Sequence, residues 1–127
     1  MTSRAQGARP AAEKEDAVNQ MYLMNAIPGA LVPADGITLQ VIPCSAARVG
    51  RKLRSGEVRS AVGHADTAVL IAGLVGAPCP AARISVPALA PGDRHMLAMY
   101  QGPRLPEGAT TLPEGASLSF YELFADE

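Results

Sequence analysis

The sequence predicts a single α/β (α+β) domain: a mixed sheet of about five strands, with helices packed on one face. Three observations carry this expectation. Segments with strand character, residues 21–26, 37–42, 82–86, 95–101 and 117–124, recur between turns rich in Pro and Gly. One apolar run, residues 65–74, has helical length and a glycine just beyond it. A chain of 127 residues that is 48% apolar builds one core and leaves no room for a second domain.

Taken in order, residues 1–20 balance Arg4, Arg9 and Lys14 against Glu13, Glu15 and Asp16 and lack hydrophobic periodicity. They are expected to form a disordered tail ahead of a domain at 21–127. The apolar segment 21–26 reads as a buried strand that ends at Asn25, before the Pro28-Gly29 turn. Residues 37–42 alternate after the Asp35-Gly36 turn and form a second strand. Residues 45–55 carry Arg48, Arg51, Lys52 and Arg54 and read as a short basic helix or loop. A solvated face is the favoured reading of that cluster, and a phosphate-attracting rim is its functional counterpart.

Residues 57–62 are β-like and lead into Gly63 and His64. Beyond them Ala68, Val69, Ile71, Ala72, Leu74 and Val75 wrap a helix almost completely, which predicts burial against the sheet. Gly76 supplies its stop, and Pro78 and Pro80 prevent its resumption. Residues 82–86 are expected as a third strand and 95–101, after Pro91-Gly92-Asp93, as a fourth. The loop 103–115 contains Leu-Pro-Glu-Gly twice, which reads as reused turn chemistry rather than a structural repeat. Residues 117–124 close the domain, with Leu118, Phe120 and Glu122 on one side and Ser119, Tyr121 and Leu123 on the other.

Composition excludes several functions. Eleven basic and twelve acidic residues give a net charge of −1, so duplex DNA is not an expected partner. With three Tyr, two Phe and no Trp there is no aromatic platform for stacked bases. Cys44 and Cys79 lie far apart and no paired Cys or His spacing occurs, so neither a disulfide framework nor a metal site is expected. No apolar run reaches membrane-spanning length, and the chain reads as a cytoplasmic protein.

The stretch Ser60-Ala61-Val62-Gly63-His64-Ala65-Asp66-Thr67 is the strongest candidate for chemistry. A strand turns there through a glycine into a helix, whose unpaired N–H groups and partial positive charge suit an anion. His64 stands at that turn, able to move a proton near neutral pH. Ser60, Asp66 and Thr67 can equally cap the helix or face a ligand. In the loop Gly102-Pro103-Arg104-Leu105-Pro106-Glu107-Gly108, prolines stiffen the backbone that holds Arg104 and Glu107. His95 starts a strand and reads as structural or merely exposed.

In order along the chain, Tyr22-Leu23-Met24-Asn25-Ala26, Ser60-Ala61-Val62-Gly63-His64 with Thr67, Ala82-Arg83-Ile84, Pro91-Gly92-Asp93 and Arg104-Leu105-Pro106-Glu107-Gly108 resemble the viral ring nucleases. These are small anti-CRISPR proteins of archaeal viruses and phages, with bacterial relatives in type III CRISPR loci. The resemblance covers roughly residues 21–125 and implies the sheet-and-helix architecture already read, assembled as a homodimer. It implies cleavage of the second messenger cyclic tetra-adenylate to linear di-adenylates ending in a 2′,3′-cyclic phosphate, without metal or cofactor. His64 takes the place of the general acid and Glu107 that of the loop glutamate. Asn25, Ser60, Gly63, Asp66, Thr67, Arg83 and Arg104 are the expected ligand contacts. After Asn25 the family often carries further polar residues, where this chain has Ile27, Pro28, Gly29 and Ala30. The alternative reading is a non-catalytic nucleic-acid-binding or scaffold protein.

Overall fold

The computed structural model describes residues 20–126, so the expectation for a disordered tail lies almost wholly outside the described residues. Five strands form one mixed sheet: β1 (Met21–Met24), β2 (Leu39–Cys44), β3 (Val58–Ser60), β4 (Arg94–Gln101) and β5 (Ser117–Ala125). Their order across the sheet is β2-β5-β4-β1-β3. β5 lies antiparallel between β2 and β4, whereas β1 is parallel to both β4 and β3. Two helices, α1 (Ala46–Ser55) and α2 (Ala65–Val75), complete the domain.

The count of five strands stands, but one member differs. Residues 82–86 do not form a strand; Val58–Ser60 does, pairing with β1 through Met21–Val58, Tyr22–Arg59 and Leu23–Ser60. Prolines at 78, 80, 87 and 91 explain the difference, because each removes a ladder donor around the segment. Residues 82–91 instead run as a strap, tied by Ala82 N–H to the Val62 carbonyl (2.8 Å) and by Leu89 N–H to the Leu31 carbonyl (2.8 Å).

The sheet is covered on both faces by different means. On one, α1 and α2 bury Val49, Ala68, Ile71 and Val75 against Leu23, Val58, Met96, Ala98 and Phe120. On the other, a single 3₁₀ turn (Gly29–Leu31) and the strap place Leu31 and Leu89 over Met24, Leu97 and Leu123. The two sides of β5 divide as the alternation predicts, Leu118 and Phe120 with the helices and Tyr121 and Leu123 opposite.

α2 corrects the expectation of full burial. Ala68, Leu70, Ile71 and Val75 are buried, but Val69 is 49% and Leu74 42% exposed, because among the described residues no layer lies outside the helix. Its stop is as read: Gly76, at φ 70°, donates its N–H to the Ala72 carbonyl. The basic cluster of α1 is largely engaged within the fold. Arg48 forks onto Glu122 with Nε and Nη2 at 3.0 and 3.2 Å, Lys52 pairs with Glu57 at 3.3 Å, and Arg54 donates to the Gly76 carbonyl at 2.9 Å.

His95 is structural and buried, only 3% exposed. Its Nδ1 accepts the Tyr22 N–H at 3.1 Å, which places the neutral ring's proton on Nε2 and ties β1 to β4. Burial pushes the imidazole pKa below its ordinary value, with the Asp93 charge pulling partly back. A base whose folded pKa is depressed binds fewer protons folded than unfolded, so its stability contribution is intact above the unfolded pKa and lost below it. The unfolding free energy should therefore hold above pH of about 6.5 and fall at lower pH by up to about 1.4 kcal/mol per unit from this group. The slope should flatten in His95→Asn, measured by urea unfolding from pH 7.5 to 5; an unchanged slope would remove His95 as its source.

Candidate active site

The three parallel strands β3, β1 and β4 all deliver their C-terminal ends to one edge of the sheet. Asn25 follows β1, the turn at 61–64 follows β3, and the loop carrying Arg104 follows β4. Open parallel sheets bind ligands at this edge, since chain leaving parallel strands converges there.

The segment after β3 starts α2 at once. His64 is the N-cap, extended at φ −105° and ψ 120°, with its carbonyl accepting the Ala68 N–H at 3.0 Å. Its imidazole makes no capping bond and is exposed. The helix thus leaves the ring available to a ligand. At Gly63 a Cβ would stand 3.2 Å from Arg83 Cγ, so the absent side chain admits Arg83, whose Nε donates to the Gly63 carbonyl at 3.3 Å.

The loop after β4 is shaped by its repeated sequence. In both copies the residue after Gly bonds back to Pro, Ala109 to Pro106 and Ala116 to Pro113, each at 3.1 Å. Gly108 and Gly115 take φ of 80° and 82°, a conformation that favours glycine in such turns. Reused turn chemistry is therefore what the echo encodes. The first copy faces α2, where Gly108 N–H donates to Asp66 Oδ2 at 2.8 Å.

Between helix and loop lies a cleft of about 450 Å³ lined by His64, Asp66, Thr67, Arg104, Leu105, Pro106 and Glu107. Five of the nine expected site residues meet here, from segments some forty positions apart. Arg83 and Gly63 flank the turn that carries His64. Asn25 stands in a separate cleft of about 320 Å³, beside Ala61 and Ser85, a polar residue the sequence reading passed over. Pro28 and Ala30 line that cleft too and add no side-chain donors, while the turn they belong to buries Leu31.

Ser60 does not reach either cleft. It is buried, its hydroxyl accepting the Val62 N–H at 3.3 Å and the Cys79 thiol at 3.5 Å. Burial pushes the Cys79 thiol pKa up, against a smaller lowering by the Ser60 bond, so this sulfur is not an activated nucleophile. Another groove, of about 410 Å³, is lined mainly by apolar side chains including Leu74, Leu112, Leu118 and Phe120, and lacks cations to hold a phosphate. Among the described residues no cluster of three or more His, Cys, Asp or Glu could hold a metal ion, and no helix is long and apolar enough to cross a membrane.

Chemically, the cleft combines two kinds of group. A helix N-terminus and Arg104 can hold negative charge, and an imidazole and a carboxylate can exchange protons beside it. That combination suits phosphoryl chemistry.

Comparison with known proteins agrees in fold. No curated protein matches the chain. B116 of Sulfolobus turreted icosahedral virus (STIV) is similar in structure, with a TM-score of 0.65 at 23% identity, covering 83% of this chain and 98% of its own. The STIV B116-like family model matches residues 21–121, a span that includes β1, both helices, β4, the Arg104 loop and every residue of the cleft. The chain belongs to the STIV B116-like family.

Proposed function

We propose that this protein is a ring nuclease that opens cyclic tetra-adenylate and so switches off type III CRISPR signalling. The observation that carries the reading is the meeting of His64, Thr67, Arg104 and Glu107 around one cleft at the N-terminus of α2. The ring's own ribose 2′-hydroxyl is the nucleophile. Its oxygen attacks the adjacent phosphorus as the 5′-oxygen leaves in line, forming the 2′,3′-cyclic phosphate. Glu107 accepts the proton of the 2′-hydroxyl and His64 gives one to the departing 5′-oxygen. Arg104, assisted by Arg83 and the helix N–H groups, holds the phosphate and stabilises the phosphorane charge.

The size of the cleft bears on assembly. About 450 Å³ is the room a drug-sized molecule takes, less than a ring of four nucleotides needs. A two-fold homodimer would place two such clefts on one ring and cut it at opposite phosphates, giving two di-adenylates. Duplex DNA binding has less support, since Arg48, Lys52 and Arg54 already have partners within the fold.

The deciding experiment incubates the protein with labelled cyclic tetra-adenylate in EDTA. Linear di-adenylates with 2′,3′-cyclic phosphate ends are expected; an intact ring after prolonged incubation at high enzyme concentration would sink the proposal.

A further inference from the structure

Asp66 is an odd residue to find in this cleft. A carboxylate in the first turn of a helix is favourable to the helix itself. Beside phosphates, however, it repels the ligand that the same helix end would attract. Its surroundings give it another task. Oδ2 accepts the Gly108 N–H at 2.8 Å, so one carboxylate oxygen is engaged by the loop although the residue lines the cleft.

The loop has few other ties. At its base Gly102 passes so close to Ala116 that a Cβ would lie 2.7 Å from the Ala116 Cα, and the Tyr100 hydroxyl donates to the Pro103 carbonyl. Between 104 and 115, the Asp66–Gly108 bond is the one hydrogen bond among the described residues that joins the loop to another element. Gly108 sits in the turn directly after Glu107 and four residues beyond Arg104.

We infer that Asp66 is a positioning residue, whose carboxylate latches the 106–109 turn onto α2 and thereby sets Glu107 and Arg104 across the cleft from His64. Its catalytic consequence rests on the proposed ring-nuclease activity; the latch itself does not. A carboxylate-to-amide bond spanning 42 positions fixes the turn at a single point, and misplacement of reacting groups by about 1 Å costs on the order of 100-fold in rate.

The test compares Asp66→Ala, which has no acceptor, with Asp66→Asn, whose side-chain carbonyl can still accept the Gly108 N–H without the charge. In ¹⁵N-labelled protein without substrate, the Gly108 amide should exchange about tenfold faster in Asp66→Ala and near the wild-type rate in Asp66→Asn. The Gly115 amide, in the twin turn that Asp66 does not touch, is the internal control and should not change. With cyclic tetra-adenylate, kcat/KM should fall about 100-fold in Asp66→Ala and recover most of that loss in Asp66→Asn. Unchanged Gly108 exchange in Asp66→Ala would overturn the latch. A loss in Asp66→Asn equal to that in Asp66→Ala would overturn it too, because the charge would then be the active feature. Should the wild-type protein leave the ring intact, the proposed activity fails while Gly108 exchange still decides the latch.

Discussion

Under the proposed ring-nuclease activity, with His64 as general acid, replacing His64 by alanine is expected to slow ring opening by about 10²- to 10⁴-fold. The loss should fall on kcat, since the proton is needed only as the 5′-oxygen departs. Folding should be almost unaffected, because the imidazole makes no capping bond and the backbone that starts α2 is kept. A ring carrying sulfur in place of the bridging 5′-oxygen separates chemistry from geometry. A thiolate leaves without protonation, so His64→Ala should cleave that analogue at close to the wild-type rate. Equal slowing on both substrates would mean that His64 positions the ring rather than protonating it.

Replacing Gly50 by alanine is expected to destabilise the fold. In an open helix the change would gain about 1 kcal/mol. At Gly50 the added Cβ would overlap the Val75 carbonyl oxygen and stand 3.2 Å from its carbon. The obstacle is backbone, so α1 and α2 must part to admit it, and overpacking of this kind costs about 1–3 kcal/mol or more. Steric cost exceeds propensity, and a net loss of about 2 kcal/mol corresponds to a fall in Tm on the order of 10 °C. Gly73 is the control: it lies in α2 with nothing within 4 Å of where a Cβ would stand, so Gly73→Ala should hold or raise Tm. If thermal unfolding shows Gly50→Ala as tolerant as Gly73→Ala, the close helix contact is not present in solution.

What could be read from the residues was whatever local chemistry decides. Gly76 stops α2, Gly108 and Gly115 shape twin turns, and the alternation of β5 assigns its two faces. The errors came where distant partners decide. Val58–Ser60 is only three residues long and acquires strand character from β1 beside it, whereas residues 82–86 alternate like a strand but run between prolines. Apolar residues around all of α2 suggest burial, yet periodicity cannot reveal that none of the described residues covers Val69 and Leu74. His64, Arg104 and Glu107 stand in turns that are conspicuous in the sequence, and the fold brings them to one cleft. The Asp66–Gly108 bond is not legible there, because the partner is a backbone amide 42 positions away. Ser60 misled for the opposite reason: a small polar residue beside a helix start suits a ligand, but this one is absorbed by Val62 and Cys79.

The two covers of the sheet differ in how freely they can change during evolution. The helical cover is bound by close backbone contact at Gly50 and by the fork of Arg48 on Glu122, so its length and register are tightly constrained. The opposite cover is irregular chain around two leucines, Leu31 and Leu89, joined by one backbone bond. Lengthening such a loop costs little, about 0.6 kcal/mol per doubling. The same irregular chain carries Asn25's cleft and Arg83. Selection can therefore remodel that rim for a ligand of different size or shape while the helices, and the histidine at the head of α2, stay where they are.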